Sequence, residues 1–189
     1  MALENGIAQL VKDFIDAGKP SSRDQNIDDR RKGYIASTVL AGETETRVQI
    51  ETRVIDDLTF QVYSPLNAPE TLPGALYYHG GCFVSGGFAT HDKQLRQLAF
   101  YGNCRVIAVQ YRLAPEHTFP AAHDDAERAA ALVWQNADVF GVNKNRITLC
   151  GDSAGGHLAL VTALRIKTKG LWNPAQLILI YPMLDATAS

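Results

Sequence analysis

The segment "LCGDSAGGHLAL" at 149–160 places Ser153 between small residues, directly before a helical pattern. It contains the arrangement G-x-S-x-G, in which a serine on a tight strand-to-helix turn projects its hydroxyl away from the backbone. Side chains at Gly151 and Gly155 would collide with the neighbouring strand or helix. The N–H groups of the following helix would favour an anion formed at this point. Ser153 is therefore predicted to act as a nucleophile.

The pattern on either side of Ser153 fits that turn. Because G-x-S-x-G also occurs by chance, its surroundings decide between a nucleophile and an ordinary turn. The run "RITLC" at 146–150 is typical of a β-strand, and apolar residues after the serine recur at helical spacing until Gly170. Strand, turn and helix thus follow one another where the motif requires them.

Two helices and a pair of strands are predicted earlier in the chain. The first helix ends near Gly18 and has an apolar stripe consisting of Leu3, Ile7, Leu10, Val11, Phe14 and Ile15. A second, weaker helix is predicted over 27–40. The runs at 46–55 and 58–65 indicate two antiparallel strands with a short turn.

From residue 74 onward, short apolar runs alternate with helical patterns. This alternation is typical of βαβ units, so it predicts an α/β fold with a mostly parallel sheet covered by helices on both faces. The loop "HGGCF" at 79–83 follows one of the predicted strands. Carboxyl ends of parallel strands meet at one edge of a sheet, so we expect this loop to lie beside Ser153. Its small residues leave backbone N–H groups free to face a ligand.

The composition excludes several kinds of partner. The 189 residues are 46% hydrophobic and 20% charged, a balance typical of an ordered globular chain. A net charge of −2 provides no basic field, so we expect neither nucleic acid nor a membrane surface as partner. We also expect no membrane insertion, because no run approaches transmembrane length, and no signal peptide, because Glu4, Lys12 and Asp13 interrupt the N-terminal apolar pattern. Cys82, Cys104 and Cys150 suit free thiols in a reducing cytoplasm.

Three ordered motifs, "YYHGGCF", "VQYRLAPEHTFPAA" and "GDSAGGHLA", resemble the hormone-sensitive-lipase-like group of α/β-hydrolases, bacterial esterases that include acetyl esterase. The similarity runs from about residue 45 to the end of the sequence. It implies an α/β-hydrolase fold and hydrolysis of short-chain acyl esters through an acyl-enzyme on Ser153. It also implies a helical cap segment at 1–45 and, at 46–189, an incomplete α/β-hydrolase core without its C-terminal strands and helices.

The resemblance assigns roles to the residues of these motifs. Ser153 is the predicted nucleophile. The predicted oxyanion-hole donors are the backbone N–H groups of Gly80, Gly81, Cys82 and Ala154. Such donors stabilise the transition state because they are fixed where negative charge develops, each contributing about 3–4 kcal/mol. His79 and Asp152 are predicted to support the surrounding loops. Asp152 has the chemistry of an orienting acid, but a residue adjacent to the serine faces away from it.

Two departures from the family pattern bear on this chemistry. Cys82 stands where the family has glycine, and positive φ at such a residue costs on the order of 1 kcal/mol or more. We expect an altered oxyanion hole that keeps its N–H donor. The family's acid and histidine lie far downstream of the serine, and the sequence ends before reaching them. We therefore interpret the sequence as the N-terminal part of a longer protein and expect weak or absent hydrolysis by this chain alone.

No histidine of the sequence is a ready substitute for the missing base. His157 is the only one after Ser153, and its backbone holds it about one turn away on the same helix. We interpret His91, His117 and His123 as loop or helix-start residues. The sequence has no His/Cys cluster with metal-ligand spacing and no phosphate-binding loop, so we predict neither a metal nor a cofactor.

Other functions and contacts stay open. One alternative is a non-catalytic protein on the same scaffold, in which a pocket at Ser153 holds a small ligand without turnover. Another is an amidase or deacetylase, which would share the nucleophile and differ in the leaving group. The expected partner is a small acyl-ester substrate. We also expect self-association, because the apolar run "QLILIYP" would leave a strand uncovered at the edge of the sheet.

Overall fold

The computed structural model describes residues 4–18, 20–21 and 24–185. Leu3, which begins the predicted apolar stripe, lies outside these residues. The chain order of the elements is α1 (Asn5–Asp16), α2 (Ile27–Ser37), a 3-10 turn (Thr38–Ala41), β1 (Val48–Ile55), β2 (Leu58–Pro65), β3 (Leu72–Tyr78), α3 (Phe88–Tyr101), β4 (Arg105–Gln110), α4 (Ala121–Gln135), β5 (Val142–Asp152), α5 (Ala154–Thr168) and β6 (Gln176–Ile180). Among them, no helix is long and apolar enough to cross a membrane.

The helix α2 is tied to the core through Arg31. Its guanidinium donates to both carboxylate oxygens of Glu116, at 2.7 and 2.8 Å, and to the carbonyl of Val84 at 2.8 Å. The side chain of Asn26 accepts the N–H of Asp29 and so caps the start of the helix. The predicted helix over 27–40 is present, although its last turn has 3-10 geometry. The contact between Arg31 and Val84 places α2 beside the loop that follows β3.

The six strands form one sheet in the order β1-β2-β4-β3-β5-β6. β1 pairs with β2 in antiparallel orientation, as predicted, and β2 is also antiparallel to β4. The remaining three pairs, β4 with β3, β3 with β5 and β5 with β6, are parallel. The predicted mostly parallel sheet is thereby confirmed. The run "RITLC" forms the middle of β5, which is longer than the apolar pattern alone indicated.

Helices cover both faces of the sheet, and the side chains of β3 alternate between them. Tyr78 packs in the cluster that includes Ala126 of α4 and Leu158 of α5. Tyr77, on the opposite face, packs with Leu95 of α3. Full burial of each large apolar side chain contributes about 1.5–3 kcal/mol. The central strands are therefore fixed from both sides, which is the environment that buried parallel strands require.

The strand β6 lies at the outer edge of the sheet, with β5 as its partner among the described residues. Leu177, Ile178 and Ile180 remain 41%, 39% and 37% exposed. In contrast, Leu149 on the neighbouring strand is fully buried. An apolar edge strand with unpaired N–H and C=O groups is a template for pairing with another chain.

We predict that this chain self-associates through β6. Sedimentation velocity of the 189-residue chain should show dimers or larger species that increase with concentration. Ile178→Lys should shift the population towards monomer, because a charge on the edge disfavours strand pairing. The matched control is Leu164→Lys, which places the same charge on the exposed surface of α5. A monomer at all concentrations, or an equal effect of both variants, would contradict the prediction.

Candidate active site

Ser153 occupies the turn between β5 and α5 in a strained conformation. Its φ of 52° and ψ of −117° are sparsely populated for a residue with a side chain. A Cβ atom at Gly155 would overlap the carbonyl oxygen of Tyr78, and one at Gly151 would overlap the backbone of Gly155. The predicted collisions at both glycines are thus present. The small residues let the end of β3 and the start of α5 approach the serine closely.

The segment after β6 brackets the backbone of Ser153. The Ser153 N–H donates to the carbonyl of Ile180 at 2.9 Å, and the Met183 N–H donates to the carbonyl of Ser153 at 3.1 Å. These two contacts add to the N–H of His157, which donates to the same serine carbonyl at 3.1 Å. The main-chain groups of the serine are therefore held from two directions.

The loop after β3 turns back on itself through two residues in the left-handed region. Cys82 has φ 55° and Phe83 has φ 61°, each costing about 1–3 kcal/mol. The N–H groups of Val84 and Ser85 close the turn by donating to the carbonyl of Gly81 at 3.1 and 3.0 Å. The expectation that Cys82 takes positive φ is confirmed, and its side chain is exposed.

The backbone donors of this loop differ in whether they are occupied. The Gly80 N–H donates to Oδ1 of Asp152 at 2.8 Å. The prediction that Gly80 serves the oxyanion hole is therefore wrong, because a buried carboxylate already holds its only backbone donor. The N–H groups of Gly81 and Cys82 make no hydrogen bond within the described residues. The Ala154 N–H begins α5, and donors of a first turn have no partner inside the helix.

Asp152 holds the loop after β3 through its carboxylate. Its carboxylate is buried and its Oδ1 also accepts the Tyr77 hydroxyl at 2.8 Å, while Nε2 of His91 lies 3.3 Å away. Burial raises the pKa of Asp152, but the contacts from His91, Tyr77 and the Gly80 N–H outweigh it and hold that pKa below its usual range. Asp152 is therefore an ionised support for the loop. Sequence patterns could not identify the His91 contact, since the two residues lie on separate elements.

His79 supports the same loop from its other side. Its Nδ1–H donates to the carbonyl of Gly80 at 2.8 Å, and the Tyr111 hydroxyl donates to the His79 carbonyl at 2.6 Å. The two rings stack with centroids 4.2 Å apart. Burial lowers the pKa of His79 to about 4, so the imidazole is neutral near pH 7. A neutral ring in this position stabilises the loop without adding charge beneath it.

The nearest histidine along the chain is engaged elsewhere. Nδ1 of His157 lies 2.9 Å from the carbonyl of Met183, and its Nε2 lies 3.1 Å from Nε2 of His123. Within the described residues, no imidazole makes a hydrogen bond to Oγ of Ser153. The arrangement therefore brings together a serine on a tight turn and free N–H donors, without an imidazole hydrogen-bonded to that serine among the described residues.

Two cavities lie near the loop. One of about 770 Å³ is formed between the N-terminal helices and Ser85, and its walls include Phe14, Tyr34 and Leu40. The other, of about 300 Å³, lies beside Cys82 and includes Phe119 in its wall. Both are mainly apolar and of the size that takes small organic groups.

The sequence matches a family described as the alpha/beta hydrolase fold over residues 75–189. Esterase LipI of Mycobacterium tuberculosis is 41% identical over 127 residues, which cover 62% of this chain and 40% of that protein. Ethyl acetate hydrolase of Pseudomonas putida is 34% identical over 189 residues, which cover 95% of this chain and 59% of that protein. The matched family segment contains Ser153 and the loop that faces it.

A solved structure extends the similarity to the whole fold. The hyperthermophilic esterase from the archaeon Pyrobaculum calidifontis superimposes with a TM-score of 0.89 and 37% sequence identity, covering 100% of this chain and 62% of that one. This chain thus spans between 40% and 62% of the length of these three relatives. With its three motifs placed on this fold, the chain belongs to the α/β-hydrolase family, in the hormone-sensitive-lipase-like group of esterases.

Proposed function

We propose that this chain carries the nucleophile of a serine carboxylesterase that hydrolyses short-chain acyl esters. The observation that supports this function best is the strained Ser153 beside the unoccupied N–H groups of Gly81 and Cys82. The similarity to a protein named ethyl acetate hydrolase supports a substrate with small acyl and alcohol groups. The two apolar cavities are consistent with such a substrate.

The reaction begins when Oγ of Ser153 attacks the carbonyl carbon of the ester and passes its proton to a base. The electron pair of the carbonyl moves to its oxygen, which accepts hydrogen bonds from the backbone N–H groups of Gly81, Cys82 and Ala154. Collapse of this intermediate breaks the bond to the alcohol, which leaves with the proton from the base. Water then attacks the acyl-enzyme by the same steps and releases the carboxylic acid.

The base and its orienting acid are the downstream Asp and His that the family resemblance implies. We place them outside this sequence, because both ring nitrogens of His157 are engaged with other groups. Without that pair, only substrate binding and the oxyanion donors remain, and they accelerate hydrolysis about 10³–10⁴-fold over water. The 189-residue chain alone is therefore expected to hydrolyse esters weakly or not at all.

The cellular location is also part of the proposal. The three cysteines are unpaired in the part of the chain that the structure describes. Free thiols are typical of a reducing compartment, so we place the protein in the cytoplasm.

We predict that a fluorophosphonate probe labels Ser153 in the protein as purified from its source. Intact mass spectrometry before and after incubation should show a single adduct, mapped to Ser153 by peptide analysis and absent from Ser153→Ala. The same probe should react far more slowly with the 189-residue chain, because no base activates the hydroxyl.

The outcomes separate the proposed esterase from its alternatives. A source protein of 20.6 kDa that takes no adduct would contradict the esterase and favour a non-catalytic binding protein. A labelled protein that cleaves an amide faster than the matched ester would instead be an amidase or deacetylase.

We predict that Asp152→Asn slows probe labelling of the source protein about tenfold or more, because it loosens the loop that carries the Gly81 and Cys82 donors, and outright removal of one such donor costs about 10²–10³-fold. The loss of the charge also weakens buried hydrogen bonds to Tyr77 and Gly80, so the free energy of unfolding at pH 7 should fall by about 1–3 kcal/mol. Urea unfolding measures this change. Asp138→Asn, at an exposed site, is the matched control.

The stability difference should depend on pH with a definite sign. The pKa of Asp152 is lowered in the folded chain, so its ionisation stabilises the fold above the unfolded-state pKa near 4. That contribution is lost as the pH falls through the folded-state pKa. The gap between the parent protein and Asp152→Asn should therefore narrow in acid, and a constant gap would mean that the charge of Asp152 does not support the loop.

A further inference from the structure

The imidazoles of His123 and His157 meet between α4 and α5. Their Nε2 atoms are 3.1 Å apart, with ring centroids 5.2 Å apart and planes inclined by 84°. The two residues are 34 positions apart in sequence, so no motif spacing points to the pair. The proposed esterase reaction does not use either ring.

The hydrogen bonds of the pair fix which nitrogen carries each proton. Nδ1 of His157 lies 2.9 Å from the Met183 carbonyl, which can only accept, so this nitrogen carries a proton. In the neutral ring, Nε2 of His157 then carries a lone pair, and it accepts a hydrogen bond from the N–H on Nε2 of His123. Nδ1 of His123 is left buried without a partner among the described residues.

This geometry also suits two ligands of one metal ion. Imidazole nitrogens that bind a transition metal lie about 2.0–2.1 Å from it, so neighbouring ligands of one ion are about 3 Å apart. The donation from Nδ1 of His157 to a backbone carbonyl is the outer contact that commonly orients a metal-binding histidine. If His123 moves its proton from Nε2 to Nδ1 and each ring rotates slightly, both Nε2 lone pairs face one point, and no proton is released.

Aromatic side chains hold the two rings in place. Phe83 stacks on His123 at a centroid distance of 5.6 Å and meets the edge of His157 at 5.8 Å. Phe119 also contacts His123, in an edge-to-face arrangement with ring centroids 5.1 Å apart. Rings that are already confined lose little conformational entropy when they bind an ion.

The surroundings of the pair permit a cation. The nearby positive charge of Arg165 is neutralised by Asp124 at 3.1 Å and Glu127 at 3.3 Å. His123 lines the cavity of about 300 Å³ beside Cys82, which gives access from solvent and room for bound water. No group of three or more His, Cys, Asp or Glu residues suited to a metal occurs among the described residues, so water completes the coordination.

We infer that His123 and His157 form a two-histidine binding site for a divalent transition-metal ion, such as Ni²⁺, Cu²⁺ or Zn²⁺. Imidazole is a preferred ligand of all three ions. The bound ion links the first turn of α4 to the first turn of α5, close to the oxyanion loop. This inference does not depend on esterase activity.

Isothermal titration of the untagged chain with NiCl₂ at neutral pH tests the site. One Ni²⁺ ion should bind per chain, and His123→Gln or His157→Gln should each raise the Kd about tenfold or more, because the second ligand of a chelating pair acts at high effective concentration. His117→Gln and Cys82→Ser alter other groups that line the same cavity and should leave the Kd within about twofold. Absence of binding, or equal weakening by the controls, would overturn the inference.

A second measurement uses the unaltered chain, in case a variant does not fold. Paramagnetic Ni²⁺ should broaden the imidazole NMR signals of His123 and His157 before those of the other histidines. Earlier broadening of His117, or broadening that spreads evenly over all five histidines, would place the ion elsewhere and would also overturn the inference.

Discussion

The close approach of Gly155 to the carbonyl of Tyr78 is the constraint on which the site depends. Because the glycine has no side chain, the first turn of α5 lies directly against the end of β3. This contact places Ser153 and the loop that follows β3 at one edge of the sheet. The hydrophobic packing on both faces then fixes β3 and β5 relative to each other. Ser153 and the loop after β3 thus owe their relative position to main-chain contact.

Strain at this edge is balanced by buried polar contacts. Cys82, Phe83 and Ser153 all take positive φ, which together costs several kcal/mol. Asp152 and His79 hold the loop through hydrogen bonds to the N–H and carbonyl of Gly80. Both backbone polar groups of Gly80 are therefore hydrogen-bonded, whereas the N–H groups of Gly81 and Cys82 remain free within the described residues. A glycine in place of Cys82 would relieve the strain of the positive φ, and it would provide the same backbone N–H donor.

The sequence predicted most of what its own local patterns determine. The order of strands and helices, the turn at Ser153 and the antiparallel pair β1-β2 follow from periodicity and small residues. The sequence pattern alone indicates a helix only from about residue 92, whereas α3 starts at Phe88, because the polar but buried His91 in its first turn hides the apolar pattern. Gly80 was misassigned because the direction of its N–H depends on a carboxylate 72 residues away. The pair of His123 and His157 likewise exists only through tertiary packing.

The hydrogen bond from Ser153 to Ile180 joins the serine to β6, an edge strand of the sheet that the described residues form. Edge strands open more readily than central ones, because fewer contacts hold them. A local opening of β6 that breaks this hydrogen bond exposes the serine N–H to solvent. Exchange of the Ser153 amide proton is therefore coupled to opening of the sheet edge, and a partner that pairs with β6 would slow that exchange.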